Sequence, residues 1–279
     1  TYRGKLYGDL TVACLDENEF MIFGSGAAQE MHRRWFESHI SKFNVKYINR
    51  SDDFHGISIA GPKSRDLLQK LVRENISNDN FKFRDAKRIF VAGVPAIVNR
   101  ISFTGELGYE IYVAPHFQLK LYEEIENAGK EFNLKPFGGR ALMSMRLEKS
   151  WGAWTLDFRP DFTAKESGLD IFIDWKKDFI GKKSAEKDKS NLKLTPLIVE
   201  TKDIDVTNNE AVMKDGKSIG YITSGGYAHY VKKSIAYSYL DETICKSNEK
   251  FQVEINGDFY DCSIIKQPLY DPKGIKMRS

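Results

Sequence analysis

A charge-crowded segment, Lys182 to Lys193, divides this chain into two parts with different patterning, and no other feature restricts its architecture as much. Lys182, Lys183, Glu186, Lys187, Asp188 and Lys189 fall there with almost no large apolar residue between them. Beyond it, apolar alternation recurs at about Lys193 to Glu200, Ser218 to Thr223, Ser234 to Tyr239, Phe251 to Ile255 and Phe259 to Ile265. Five short strands without a convincing helix fit a small β-barrel or sandwich. The length of 279 residues also exceeds what one hydrophobic core usually serves. We therefore expect one domain over 1–185, with its N-terminal part missing, and a C-terminal β-barrel domain over 193–279.

Before the charged segment, strands and helices interleave. Asp9 to Cys14 and Phe20 to Phe23 read as two strands of a hairpin joined by Asp16-Glu17-Asn18. Ala28, Met31, Trp35 and Phe36 then put an apolar stripe on a helix reaching about His39. Gly56 to Ala60 forms a strand, and Gly61-Pro62 opens a helix that turns Leu67, Leu68, Leu71 and Val72 inward. Val94 to Phe103 and Tyr109 to Val113 form a hairpin around the loop Thr104 to Gly108. Amphipathic helices follow at Phe117 to Ala128 and about Arg140 to Lys149. Hairpins mixed with helices signal α+β rather than a doubly wound sheet.

Composition removes several function classes. A net charge of +3 with no clustered basic face gives nucleic acid no electrostatic footprint. No stretch reaches the roughly 18 apolar residues of a membrane span. Three distant cysteines, Cys14, Cys245 and Cys262, form neither a disulfide framework nor a thiolate metal site, and point to a reducing compartment. His32 and His39 lie two helical turns apart, but no further ligand completes a metal set, so no metal is expected. Gly24-Ser25-Gly26 follows a strand and precedes a helix, yet Gln29 replaces the third glycine of a dinucleotide fingerprint. That turn could still aim backbone N–H groups at a ligand.

The loop TGELGY, Thr104 to Tyr109, carries a carboxylate at a glycine-flanked bend. Such a group accepts two parallel hydrogen bonds from an amidine-like edge, of the kind a pterin ring presents. A solvated loop acid is the ordinary alternative. Asp9, in a strand beside Leu10 and Val12, faces either solvent or a cleft, and spacing does not decide which.

Taken in order, YGDLTV at Tyr7 to Val12, FGSGAAQ at Phe23 to Gln29, SFTGELGYEIYV at Ser102 to Val113 and RLEKSWGAW at Arg146 to Trp154 resemble the folate-binding aminomethyltransferase family of the glycine cleavage T-protein. Glu166 to Ala185 and Thr223 to Tyr227 extend the resemblance to nearly the whole chain, and it is strongest to the C-terminal half of dimethylglycine and sarcosine dehydrogenases. The resemblance implies a folate-binding cloverleaf over 1–185 and a closing barrel, with tetrahydrofolate as cofactor. It implies that Glu106 grips the pterin, with Leu107 and Gly108 continuing its loop. Thr11 and Gly24 would line the pocket through their backbone, and Trp154 would stand as a pocket aromatic. Asp9 would be the catalytic acid beside the folate amines.

Read this way, the chain captures the one-carbon unit released by oxidative demethylation of dimethylglycine or sarcosine, giving 5,10-methylenetetrahydrofolate. FAD would sit only in a missing N-terminal half, the flavin oxidase part of the same polypeptide or a partner subunit. The expected compartment is the cytoplasm, or the mitochondrial matrix in a eukaryote, with neither membrane nor nucleic acid as partner. A stand-alone glycine-cleavage-type aminomethyltransferase, a folate-dependent demethylase and a non-catalytic folate-binding module are the alternatives. One departure bears on them. The Ala-Arg-Asp of the glycine-cleavage branch is replaced by Ala141-Leu142-Met143, which leaves the roles of Arg140 and Arg146 open.

Overall fold

The first strand pair forms as the alternation of its residues requires. In the computed structural model, which describes residues 1–246 and 250–279, β1 (Thr11–Asp16) and β2 (Glu19–Phe23) pair antiparallel, with Thr11 opposite Phe23. Asp9 lies outside this hairpin, in irregular chain before β1, and not in the strand expected from its apolar neighbours. The helix α1 (Gln29–His39) buries His32, while Met31, Trp35 and Phe36 stay half-buried, so its expected apolar stripe is only partly covered. By contacts, the chain divides into a sheet unit, Leu10–Leu142 with Lys273–Ser279, and a barrel unit, Thr1–Asp9 with Met143–Pro272.

The sheet unit is built on β3 (His55–Ala60), α2 (Ser64–Leu71), β4 (Ala86–Val91), β5 (Val94–Asn99), β6 (Gly108–Val113) and α3 (Gln118–Gly129). Its four antiparallel strands run in the order β3-β6-β5-β4. Leu67, Leu68, Leu121 and Ile125 of the helices pack against Ile59, Val98, Tyr109 and Ile111 of the sheet. β4 was not legible in the sequence, because Lys87 and Arg88 break the alternation in its first half. It joins β5 through Ala92 and Gly93, both at positive φ, the turn geometry that matches the twist of a two-residue hairpin.

β5 ends at Asn99, four residues before the expected Phe103. Arg100 follows directly. Its side chain is 0% exposed and donates to Asn78 Oδ1 at 2.7 Å and to the Phe81 carbonyl, while its own N–H turns to the Asp85 carbonyl at 2.9 Å.

In the barrel unit, α4 (Gly139–Glu148, shared at its start with the sheet unit) and α5 (Lys182–Glu186) precede the strands. The strands β7 (Leu192–Val199), β8 (Ala211–Lys214), β9 (Lys217–Ala228), β10 (Lys233–Asp241), β11 (Phe251–Ile255) and β12 (Asp258–Ile264) close into a barrel in the order β10-β7-β12-β11-β8-β9. That is six strands rather than five, since four-residue β8 is too short to show a period. A short helix, α6 (Glu242–Lys246), also lies in this region, where no helix was expected. Gly225 of β9 lets another segment approach, as a Cβ there would come within 2.8 Å of the Thr207 carbonyl oxygen. A final helix, α7 (Ile275–Arg278), belongs to the sheet unit.

One ion pair ties α4 to the barrel. Arg146 Nη1 donates to Asp157 Oδ2 at 2.7 Å with both side chains 0% exposed. The same carboxylate accepts from Ala153 N at 2.9 Å, from Ser224 Oγ at 2.6 Å and from Thr223 Oγ1. Breaking such a pair leaves a buried charge uncompensated. Asp157→Ala should therefore cost on the order of 3–5 kcal/mol in urea unfolding. Lys233→Ala, which opens the exposed pair with Glu200, should cost about 1 kcal/mol or less. Similar unfolding midpoints for the two variants would contradict this reading.

Candidate functional site

The loop from Arg100 to Leu107 carries the carboxylate singled out in the sequence. Gly105 takes φ +85°, a left-handed backbone that glycine adopts at no steric cost. Its N–H donates to Ser102 Oγ at 3.0 Å, and the Glu106 N–H donates to Thr104 Oγ1 at 3.2 Å. Leu107 is buried, and its carbonyl accepts from Gly61 N at 2.8 Å and from Ser64 Oγ at 3.0 Å. A Cβ on Gly108 would come within 3.1 Å of the Ile59 carbonyl oxygen, so a side chain there would need the neighbouring backbone to give way by a few tenths of an ångström.

The backbone is thus fixed on both sides of Glu106, whose side chain is 19% exposed. Lys276 Nζ, on α7, stands 3.8 Å from Glu106 Oε1. A carboxylate with restricted solvent access on a braced backbone can accept a pair of N–H donors in fixed directions. Sequence reasoning missed Lys276, since nothing in the spacing of Lys273 to Ser279 links it to a loop so far back in the chain.

Thr11 and Gly24 lie across the β1–β2 hairpin from one another, Gly24 following the Phe23 that pairs with Thr11. A Cβ on Gly24 would reach 2.6 Å from Leu10 Cδ2 and 3.3 Å from His32 Nδ1, so the glycine lets both side chains pack closely. Thr11 also lines a cleft of about 380 Å³ in the sheet unit, together with Cys14, Arg84, Lys87 and Asn99. Asn99 is 2% exposed, and neither atom of its amide meets a protein partner. Leaving a buried amide unpaired costs about 1–3 kcal/mol, which a polar group entering the cleft would offset. Sequence reasoning missed this residue as well, because an Asn at a strand end carries no signal of burial.

The remaining expected residues belong to the barrel unit. Solvent reaches the Asp9 side chain, yet the surrounding protein desolvates its carboxyl enough to raise it above the ordinary aspartate range. Trp154 is half-buried in the loop after α4, bridging to Phe158. Asp157 shapes that loop by accepting the Ala153 N–H. Arg146 is committed to Asp157, and Arg140 is exposed. Glu106 and Leu107 therefore end one loop with Gly108 opening β6, Thr11 and Gly24 lie at the open end of one hairpin, and Asp9 and Trp154 belong to the other unit. Among the described residues, no group of three or more His, Cys, Asp or Glu side chains is gathered to hold a metal, and no helix is long and apolar enough to cross a membrane.

Comparison with known proteins fits this architecture. Residues 1–177 match the family model described as the GCVT N-terminal domain, and residues 193–271 match the glycine cleavage T-protein C-terminal barrel domain. The chain is 36% identical over 277 residues to the mitochondrial dimethylglycine dehydrogenase of Homo sapiens, covering 96% of this chain but 32% of that protein. It is 30% identical over 278 residues to an aminomethyltransferase of Desulfitobacterium hafniense (strain Y51), covering 98% of this chain and 75% of that one. The crystal structure of glycine cleavage system aminomethyltransferase T from Bartonella henselae matches with a TM-score of 0.86 at 19% identity, over 97% of this chain and 74% of that one, a likeness of fold. With both family models placed in order along it and a closed six-stranded barrel at the expected end, the chain belongs to the aminomethyltransferase family of the glycine cleavage T-protein.

Proposed function

We propose that this chain binds tetrahydrofolate and transfers a one-carbon unit to it, and that the unit comes from oxidative demethylation of dimethylglycine or sarcosine. The observation that carries the folate reading is Glu106, held at a braced bend with its side chain largely shielded. Its carboxylate fits the paired donors of a pterin edge, which would cost about 1–3 kcal/mol each if buried without an acceptor. Leu107 and Gly108 would continue its loop, the backbones of Thr11 and Gly24 would line the folate, and Trp154 would be an aromatic contact for it. In this reading 1–185 is the folate-binding domain and 193–279 the C-terminal β-barrel domain.

Tetrahydrofolate supplies two amines that take up the carbon, the product being 5,10-methylenetetrahydrofolate. Asp9 would act as the acid–base group beside them, taking the proton an amine loses and stabilising positive charge nearby. Oxidation of the N-methyl group needs FAD in a flavin oxidase region or subunit outside this chain, in the cytoplasm or in the mitochondrial matrix of a eukaryote. The identity to dimethylglycine dehydrogenase supports that source of carbon. A stand-alone aminomethyltransferase is the second reading, favoured by relatives of that name that the chain matches over 75% of their length. Formaldehyde capture with tetrahydrofolate tests turnover in either case, and tight binding with no methylene product would leave only a non-catalytic folate-binding module.

Glu106→Gln should weaken tetrahydrofolate binding roughly tenfold or more by calorimetry, the loss expected of a hydrogen-bonded charge. Asp9→Asn should lower turnover much more than affinity. Because desolvation raises the Asp9 carboxyl, its ionised form is lost as pH falls through a value above the ordinary level of about 3.9. The acid limb of the capture rate should therefore lie above that level in the wild type and vanish in Asp9→Asn. The linkage sign is opposite for stability. A raised carboxyl pKa means that folding disfavours the charge above it, so Asp9→Asn should be no less stable than wild type at neutral pH. Equal turnover in the variant would remove Asp9 from the chemistry.

A further inference from the structure

A carboxylate can satisfy only part of a pterin's recognition edge. That edge presents two donors, the 2-amino group and N3–H, followed by an acceptor, the C4 carbonyl oxygen, which needs a donor of its own when it is desolvated. Lys276 brings an ammonium beside the Glu106 carboxylate. Its Nζ lies 3.8 Å from Glu106 Oε1, near enough for one ligand edge to meet both groups.

The position of Lys276 is built rather than incidental. Met277, the next residue, is buried, and the Ser279 backbone oxygen accepts from Arg65 Nη2 and Arg100 Nη2, each at 2.6 Å. Arg278 lays its guanidinium over the Phe83 ring at 5.8 Å. Arg100 also begins the loop that ends in Glu106, so a single buried guanidinium anchors both the carboxylate loop and the segment that carries the ammonium.

We propose that Lys276 is a specificity-determining residue, donating to the C4 carbonyl of a 4-oxopteridine while Glu106 accepts from the adjacent N3–H and 2-amino group. This rests on the folate reading. The pair together reads donor, donor and acceptor in order, and so selects a 4-oxo ring over one whose C4 substituent accepts hydrogen bonds poorly.

The test is calorimetry on the full chain with tetrahydrofolate and with its 4-thioxo analogue, which keeps N3–H and the 2-amino group but has a weak acceptor at C4. Wild type should bind the 4-oxo form roughly tenfold tighter, the value of one charge-assisted hydrogen bond. Lys276→Met should bind tetrahydrofolate more weakly and bring that ratio towards one, and Lys276→Arg should retain most of it. A purely structural Lys276 would lower both affinities and leave the ratio as in wild type. That outcome, or a wild-type ratio already near one, overturns the proposal while leaving folate binding intact. Failure of wild type to bind tetrahydrofolate, or undiminished binding by Glu106→Gln, overturns the folate reading and this inference with it.

Discussion

The sheet unit turns on one cation taken out of water. Arg100 is fully enclosed, and its guanidinium donates to Asn78 Oδ1, to the Phe81 carbonyl and to the backbone oxygen of Ser279. A buried charge is tolerated only where hydrogen bonds replace its hydration, so these acceptors are held as firmly as the cation itself. The consequences are local. β5 ends just before this residue, and the segment carrying α7 is held by the same side chain. Glu106 and Lys276 meet because both are attached to that anchor.

The barrel unit also encloses a cation. Arg146 and Asp157 neutralise one another in an enclosed site, and Thr223, Ser224 and Ala153 complete the carboxylate. The helix that carries Arg146 is thereby fixed to β9, and the loop bearing Trp154 takes its shape from the same carboxylate. Charged residues that sequence reading leaves open as possible ligand contacts turn out here to hold the chain together. Only burial distinguishes the two roles.

Elements whose register follows from side-chain alternation were readable in advance. Phe251–Ile255 occurs with the expected limits, and Leu67 and Leu68 face the core as their spacing requires. The bend at Thr104 to Gly108 was readable because its glycines have a steric reason to be there. What escaped was set by tertiary structure. The charged start of β4 hides its period, His32 replaces the apolar stripe as the buried face of α1, and Asp9 leaves the strand pattern its neighbours suggest. Lys276 and Asn99 escaped for a related reason: each acquires its place from residues far away in sequence.

The central claim is that the carboxylate at the TGELGY bend recognises a reduced pterin. The most direct measurement is a crystal structure of the full chain with tetrahydrofolate. The account predicts the 2-amino group and N3–H of the ring within hydrogen-bond distance of the two Glu106 carboxylate oxygens. A ring bound at another site, or turned so that this edge faces solvent, would contradict it.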